Sequence, residues 1–385
     1  MEPKSICAVK GVTASGIKEG KFGLALIRAT GMAAGVFTAN LVKAAPVELM
    51  KKQIRRGTMD AVIVNSGCAN AYTGKKGYED AVAMTECAGS ALGLDARSVG
   101  VASTGVIGRY LDISLIRRQC VTVATGLTSS PEAEDLAARA IMTTDTFPKH
   151  AVVKREAFTV GGITKGSGMI APNMGTMLAF LYTDAEIGPK PLAVALKEAA
   201  RRTFNRVVVD GDTSTNDIAL LTATGESGPV EVREFSGALE ECCRSLARQI
   251  ATDGEGATRL LEVTVTGAPK EEAAAKVART VIESPLVKTA VYGEDPNWGR
   301  VVAAAGRAGV RFDPNAVSLW ISDGRERYPL VRSGEIIADL KQAKVTMHGK
   351  KVIFELDLAA GTAKATAWGC DLTERYVEIN GRYTT

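Results

Sequence analysis

Short, uninterrupted apolar runs alternate along this chain with longer stretches whose apolar residues recur every three or four positions. That is the pattern of buried strands interleaved with amphipathic helices. Residues 23–28, 61–65 and 99–103 read as buried strands, and residues 46–56, 77–92 and 112–126 as helices, the first opened by Pro46 and the second closed near Gly93. Later in the chain a helix is predicted over 191–204, with Leu192, Leu196, Ala200 and Phe204 on one face. Strands at 207–209 and 218–223, a helix over about 230–251, a strand at 260–266 and a helix over 271–282 follow. The last of these places Ala274, Val277, Ala278 and Val281 on one side. The alternation predicts an α/β layered fold. No repeat or linker interrupts it, so the expected boundary is the turn at Ser284-Pro285. It gives a main domain of residues 1–283 and a smaller C-terminal α/β domain of residues 284–385.

One stretch changes character at a single peptide bond. In Lys165-Gly-Ser-Gly-Met-Ile-Ala-Pro-Asn-Met-Gly-Thr176, three glycines with Ser167, Pro172 and Asn173 supply loop chemistry up to Gly175. The run from Met177 to Tyr182 is then wholly apolar and short, as a doubly buried strand requires. A threonine hydroxyl therefore stands where a glycine-rich turn feeds a buried strand, behind a residue with no side chain to block its carbonyl. Attack by Thr176 on its own preceding peptide bond would leave a hydroxyl nucleophile beside a free α-amine. An α-amine has a pKa near ~8 and can serve as the local base. The plainer reading of Thr176 is a strand-initiating threonine.

Composition narrows the chemistry. There are only two histidines among 385 residues, so a histidine-based hydrolase is poorly provided for. His150 follows Pro148-Lys149 in what reads as a polar connection, and His348 in Met-His-Gly-Lys reads as a hairpin turn between two strands. The seven cysteines show no CxxC spacing and no pairing with the histidines, so no metal site is expected and they read as small core residues of a reducing compartment. A hydrophobic fraction of 46%, a charged fraction of 23% and a net charge of +4 are those of an ordinary globular protein. No basic cluster interleaves with aromatics, and Lys51-Lys52 with Arg55-Arg56 read as a solvated helix face, so no nucleic-acid partner is expected. Neither a signal peptide nor an apolar run of about 20 residues is visible, which leads to the expectation of a cytoplasmic protein without a membrane partner.

Seven motifs in sequence carry a resemblance. Lys165 to Phe180, Ser103-Thr-Gly-Val-Ile-Gly108, Thr143-Thr-Asp-Thr146, Asp210-Gly-Asp-Thr-Ser-Thr-Asn-Asp217, Asp253-Gly-Glu-Gly-Ala-Thr258, Lys288-Thr-Ala-Val-Tyr-Gly293 and Ala367-Trp-Gly-Cys-Asp-Leu-Thr373 run nearly end to end. Together they resemble the ornithine acetyltransferase (glutamate N-acetyltransferase) family of arginine biosynthesis. The resemblance implies a layered α-β-β-α sandwich, with the strand after Thr176 central to it. It also implies self-cleavage between Gly175 and Thr176 and an α2β2 heterotetramer of chains 1–175 and 176–385. One departure is visible: the family is expected to carry alanine before the threonine, and Gly175 stands there.

The resemblance makes Thr176 the nucleophile, with Thr104 and Gly105 stabilising the oxyanion. It assigns Thr143, Lys165, Thr176, Glu255, Asn380 and Thr385 to the amino-acid substrate. Lys165 suits an α-carboxylate, and Glu255 between two glycines suits an ammonium group. The implied reaction is a ping-pong transfer of acetyl from N2-acetylornithine to glutamate without a resident cofactor; acetyl-CoA as a second donor is left open. Three other readings compete. Val207-Val-Val-Asp210-Gly-Asp212-Thr resembles the DxDxT signature of magnesium-dependent phosphotransferases. Gly166 to Ala171 matches a GxGxxA nucleotide loop but is followed by a strand pattern where a helix is needed. A self-processing amidase or aminopeptidase of related fold would differ in using water as the acceptor.

Overall fold

The computed structural model describes residues 4–171 and 177–382. It divides into two compact units, the first made of residues 4–169, 177–205 and 212–246 and the second of 170–171, 206–211 and 247–382.

The first unit is built on an eight-stranded mixed sheet. Its strands are β1 (Thr13–Glu19), β2 (Phe22–Phe37), β3 (Thr58–Cys68), β4 (Val99–Val106), β5 (Lys149–Lys154), β6 (Thr159–Lys165), β7 (Leu178–Thr183) and β9 (Ile218–Ala223); the intervening β8 (Val207–Val208) belongs to the second unit. The order is β4-β3-β2-β9-β7-β6-β5, with β1 paired to β2. Its helices are α1 (Ala45–Gln53), α2 (Gly74–Leu92), α3 (Ile113–Thr125), α4 (Pro131–Ala140) and α5 (Pro189–Arg202). Successive side chains of a strand point to opposite faces, and here both faces are covered. Leu24, Leu26, Ile63, Val99 and Val101 pack with Ala81, Met84 and Ala88 of α2 and with Ile116, Cys120 and Val123 of α3. Ala25, Ile27, Val62, Val64 and Ala102 cluster on the other face with Ala137, Ala138 and Ala140 of α4. Every residue of β7 and of β9 is buried. These are the uninterrupted apolar runs seen in the sequence.

The second unit carries a seven-stranded sheet, β13-β12-β11-β14-β10-β15-β8. The added strands are β10 (Leu260–Ala268), β11 (Ser318–Ser322), β12 (Arg327–Arg332), β13 (Glu335–Ile336), β14 (Lys351–Asp357) and β15 (Ala363–Cys370). Helix α6 (Val232–Thr252) ends in this unit, and α7 (Glu271–Ile282), α8 (Pro285–Tyr292), α9 (Trp298–Gly306), α10 (Leu340–Met347) and α11 (Glu374–Gly381) follow. Leu261, Val263 and Val265 of β10 pack under Ala274, Val277, Ala278 and Val281 of α7, the stripe that its spacing predicts. Each unit is thus helices layered on a sheet, the α/β class expected.

Three local expectations are corrected. The boundary expected at Ser284-Pro285 lies inside the second unit. Strand β10 pairs with both β14 and β15, and α7 packs on it, so the divide falls before residue 260. His150 is not in a connection but in β5, where Ser5 Oγ lies 2.9 Å from its Nδ1 and Asp135 lies 3.4 Å from its Nε2. His348 caps the C-terminus of α10 instead of turning a hairpin, and its Nδ1 lies 2.6 Å from Glu294 Oε2. Six of the seven cysteines are buried, as core residues should be, and burial pushes the Cys7 and Cys242 thiols up to about 12.

Candidate active site

Thr104 and Gly105 lie near the end of β4, where the parallel pairing with β3 slips. Ser66 faces Thr104 and Gly67 faces Gly105, but Cys68 faces both Thr104 and Val106. Such a bulge bends the strand and re-aims its side chains. Gly105 has φ +133°, and a Cβ on it would lie 2.3 Å from the Gly67 carbonyl carbon and 2.5 Å from the Cys68 nitrogen. Only glycine fits. Asn216, just before β9, ties this turn down by donating from Nδ2 to Ser103 O at 2.8 Å and to Ala69 O at 2.6 Å.

Lys165 ends β6 almost fully buried and brings two of the expected site residues together. Its Nζ donates to Thr143 Oγ1 at 2.8 Å and to Thr104 Oγ1 at 3.3 Å. Because the ammonium fills an acceptor position on each hydroxyl oxygen, the hydrogens of both hydroxyls are left to be donated elsewhere. A hydroxyl so held can donate to an anionic oxygen. Beneath them lies Asp145, whose Oδ1 accepts from Lys149 Nζ and from Gly166 N–H, each at 2.7 Å. Its Oδ2 accepts from Thr143 N–H at 3.1 Å and lies 3.9 Å from Lys165 Nζ. Burial alone would raise the Asp145 carboxyl, but the charges of Lys165 and Lys149, with the Lys149 and Gly166 hydrogen bonds, outweigh it and hold the group well below the usual carboxylate range.

A third lysine enters from β1. Lys18 Nζ donates to Ser66 Oγ at 2.7 Å and to Met142 O at 2.5 Å, next to Thr143 in the chain. Its ammonium is pushed down to about 8 by burial and then by the charge of Lys165, with Asp145 opposing.

Gly175, Thr176 and Thr385 lie outside the described residues. Glu255 and Asn380 belong to the second unit, where Asn380 Nδ2 donates to Glu255 Oε2 at 2.7 Å. Asn380 sits in α11, an ordered helix with no buried residue. Asp145, Lys149 and Lys18 were missed by sequence reasoning. Asp145 could have been suspected as the lone carboxylate in Thr-Thr-Asp-Thr, but nothing in the sequence marks Lys149 as buried or brings Lys18 beside Met142.

The competing readings fare less well. The strand before Asp210 is the two-residue β8, and Asp210 Oδ1 accepts the Ile170 N–H at 2.9 Å, a structural task. Among the described residues no group of three or more histidines, cysteines or carboxylates could hold a metal ion. After Gly166 to Ala171 the next described element is strand β7, so among the described residues no helix N-terminus follows the loop for a pyrophosphate.

A hydroxyl with its hydrogen left to donate, beside a glycine turn, is an arrangement that acyl-transferring enzymes use. The family follows from comparison. Residues 9–385 match the family model described as the ArgJ family, and the chain belongs to that family. It is 53% identical to the glutamate N-acetyltransferase of Methanosarcina mazei, over 99% of this chain and 98% of the relative. It is 48% identical to the arginine biosynthesis bifunctional protein ArgJ of Archaeoglobus fulgidus, over 99% of this chain and all (100%) of the relative. Among solved structures, the arginine biosynthesis bifunctional protein ArgJ of Bacillus halodurans is similar at 39% identity and a TM-score of 0.50, covering 53% of this chain and 98% of the other.

Proposed function

We propose that the protein is a glutamate N-acetyltransferase that moves the acetyl group of N2-acetylornithine to L-glutamate through an acetyl-threonine intermediate. The observation that carries this reading is the buried Lys165 ammonium hydrogen-bonded to both Thr104 and Thr143. It supports the reading because an ammonium, which can pair with a carboxylate, lies beside a hydroxyl whose hydrogen is left to donate. The family membership and the names of its relatives point the same way.

The Thr176 hydroxyl, its proton taken by its own α-amine, attacks the acetyl carbonyl. Thr104 and the Gly105 amide receive the oxyanion, ornithine leaves with the proton, and glutamate then takes the acetyl group from the ester. Thr143, Lys165, Glu255, Asn380 and Thr385 hold the amino acid. Water must lose to glutamate at the ester, so the site is expected to be narrow. Self-cleavage uses the same hydroxyl against the Gly175 carbonyl. Chains 1–175 and 176–385 then remain together as a cytoplasmic α2β2 heterotetramer, which light scattering of the purified protein would size. No resident cofactor is needed, and acetyl-CoA is the second donor to assay.

Thr176→Ala is the decisive variant, expected to stay one chain by intact mass and to transfer no acetyl. A cut or active alanine variant would sink the assignment. An amidase or aminopeptidase would instead release acetate or a free amino acid at a rate independent of glutamate.

A further inference from the structure

The residue that follows Thr176 is held from two directions by the entry of β9. Met177 N–H donates to Asp217 Oδ1 at 3.0 Å, and Met177 O accepts from Ile218 N–H at 3.2 Å. A peptide group is planar and rigid, so the Met177 N–H and the Thr176 carbonyl carbon move as one body. Whatever fixes that N–H fixes the anchor from which the Thr176 α-carbon departs.

Asp217 is itself well fixed. It is fully buried, and its backbone carbonyl accepts the Thr38 N–H at 3.0 Å. Thr38 in turn donates its hydroxyl to Ser214 O at 2.6 Å. Yet among the described residues Oδ2 of the same carboxyl, which is buried, has no hydrogen-bond partner. Buried polar atoms are nearly always paired, and an exception calls for a role.

We propose that Asp217 is a positioning residue for the nucleophile, holding the peptide group behind Thr176 through the Met177 N–H; this rests on the reading of Thr176 given above. Burial pushes the Asp217 carboxyl well above the usual range, against the opposing Met177 N–H and Lys165 charge. A protonated carboxyl still accepts the N–H through one oxygen and keeps one O–H to donate.

The test compares Asp217→Asn, Asp217→Ser and Asp217→Leu in the full chain, reading the fraction cleaved by intact mass and the kcat and KM of acetyl transfer. Serine is too short to reach Met177 and leucine offers no acceptor. Both are expected to slow cleavage and lower kcat by roughly thirtyfold or more, with KM within about twofold. Asparagine keeps the acceptor in neutral form and should cut and turn over at least about tenfold faster than either, though below wild type. Serine and leucine variants at wild-type rates, or an asparagine variant no better than they are, overturn the proposal. If leucine does not fold, serine against asparagine decides. Thr176→Ala run alongside separates the two levels, since a cut or active alanine variant removes the nucleophile reading itself whatever the Asp217 series shows.

Discussion

The two sheets are solvated differently, and the candidate chemistry follows the difference. In the first sheet β7 and β9 are buried at all positions, and the charges of Lys149 at the start of β5, Lys165 at the end of β6 and Asp145 before β5 are nearly inaccessible: the side chains of Asp145 and Lys149 are 0% exposed and that of Lys165 is 4% exposed. In the second sheet β10 and β14 alternate, with Glu262, Thr264 and Glu355 on a face that is only half-buried. Ion pairs occur in both. The Asp145, Lys149 and Lys165 charges sit where the effective dielectric is low and each acts strongly on its neighbours, whereas a pair such as Arg327–Glu355 of the second sheet lies on a wet surface. The same residue types therefore tune chemistry in one sheet and contribute little in the other.

The widest separation between the two should come from removing Asp145. It takes hydrogen bonds from Lys149, Gly166 and Thr143, so Asp145→Ala leaves buried ammonium groups without their counter-charge. A loss of about 3–5 kcal/mol is expected in urea unfolding, with acetyl transfer abolished. A variant within about 1 kcal/mol of wild type would show that the first sheet is wetter than its burial implies.

Next in size is Gly105→Ala. Its φ of +133° disfavours any side chain, and the new methyl would meet Gly67 and Cys68 backbone at 2.3–2.5 Å. Strain and overpacking together should cost roughly 3 kcal/mol or more, and the displaced turn should lower kcat more than it raises KM. Equal losses in binding and turnover would argue against an oxyanion role.

The same contrast explains what could be read from sequence. Strands β7 and β9 were legible because burial on both faces leaves unbroken apolar runs. Helix α7 was legible from its apolar stripe. Strands β11 to β15 were not singled out, because half-solvated strands such as Arg327–Arg332 and Lys351–Asp357 carry charges among their apolar residues. Lys149 and His150 misled for a related reason. Both look solvated in sequence and are paid for by partners, Asp145 and Ser5, that are distant or unremarkable in the chain. Thr104, Thr143 and Lys165 were reachable only as motif residues; that Lys165 joins the two hydroxyls is a fact of packing.

A subtler test uses pH, because two buried carboxyls of the first unit are shifted in opposite directions. Asp145 is depressed, so its contribution is present above the unfolded aspartate value of about 3.9 and is lost as pH falls through its lower folded value. Asp217 is raised, so its contribution is complete below about 3.9 and is lost as pH rises toward its folded value. In urea titrations from pH 3 to 8, the deficit of Asp145→Asn relative to wild type should therefore shrink at the acid end. Asp217→Asn should gain on wild type as pH rises. Parallel curves for the two variants would mean that their environments are alike after all.

The smallest effect is expected on the second sheet. Arg327 Nε donates to Glu355 Oε2 at 2.7 Å across the half-buried face, with the two side chains 49% and 34% exposed, and the guanidinium carbon lies 4.0 Å from the Trp320 ring centre. The bond length matches that from Lys149 to Asp145, so geometry alone would rank the two pairs as equals. Solvent decides otherwise: water competes for both charges, and the arginine keeps its stacking on Trp320 when the carboxylate is gone. Glu355→Gln should change unfolding free energy by no more than about 0.5 kcal/mol, a difference that fades further in 1 M salt. A loss approaching that of Asp145→Ala would mean that the second sheet's polar face is covered in the working protein, and the contrast between the sheets would then belong to the isolated chain alone.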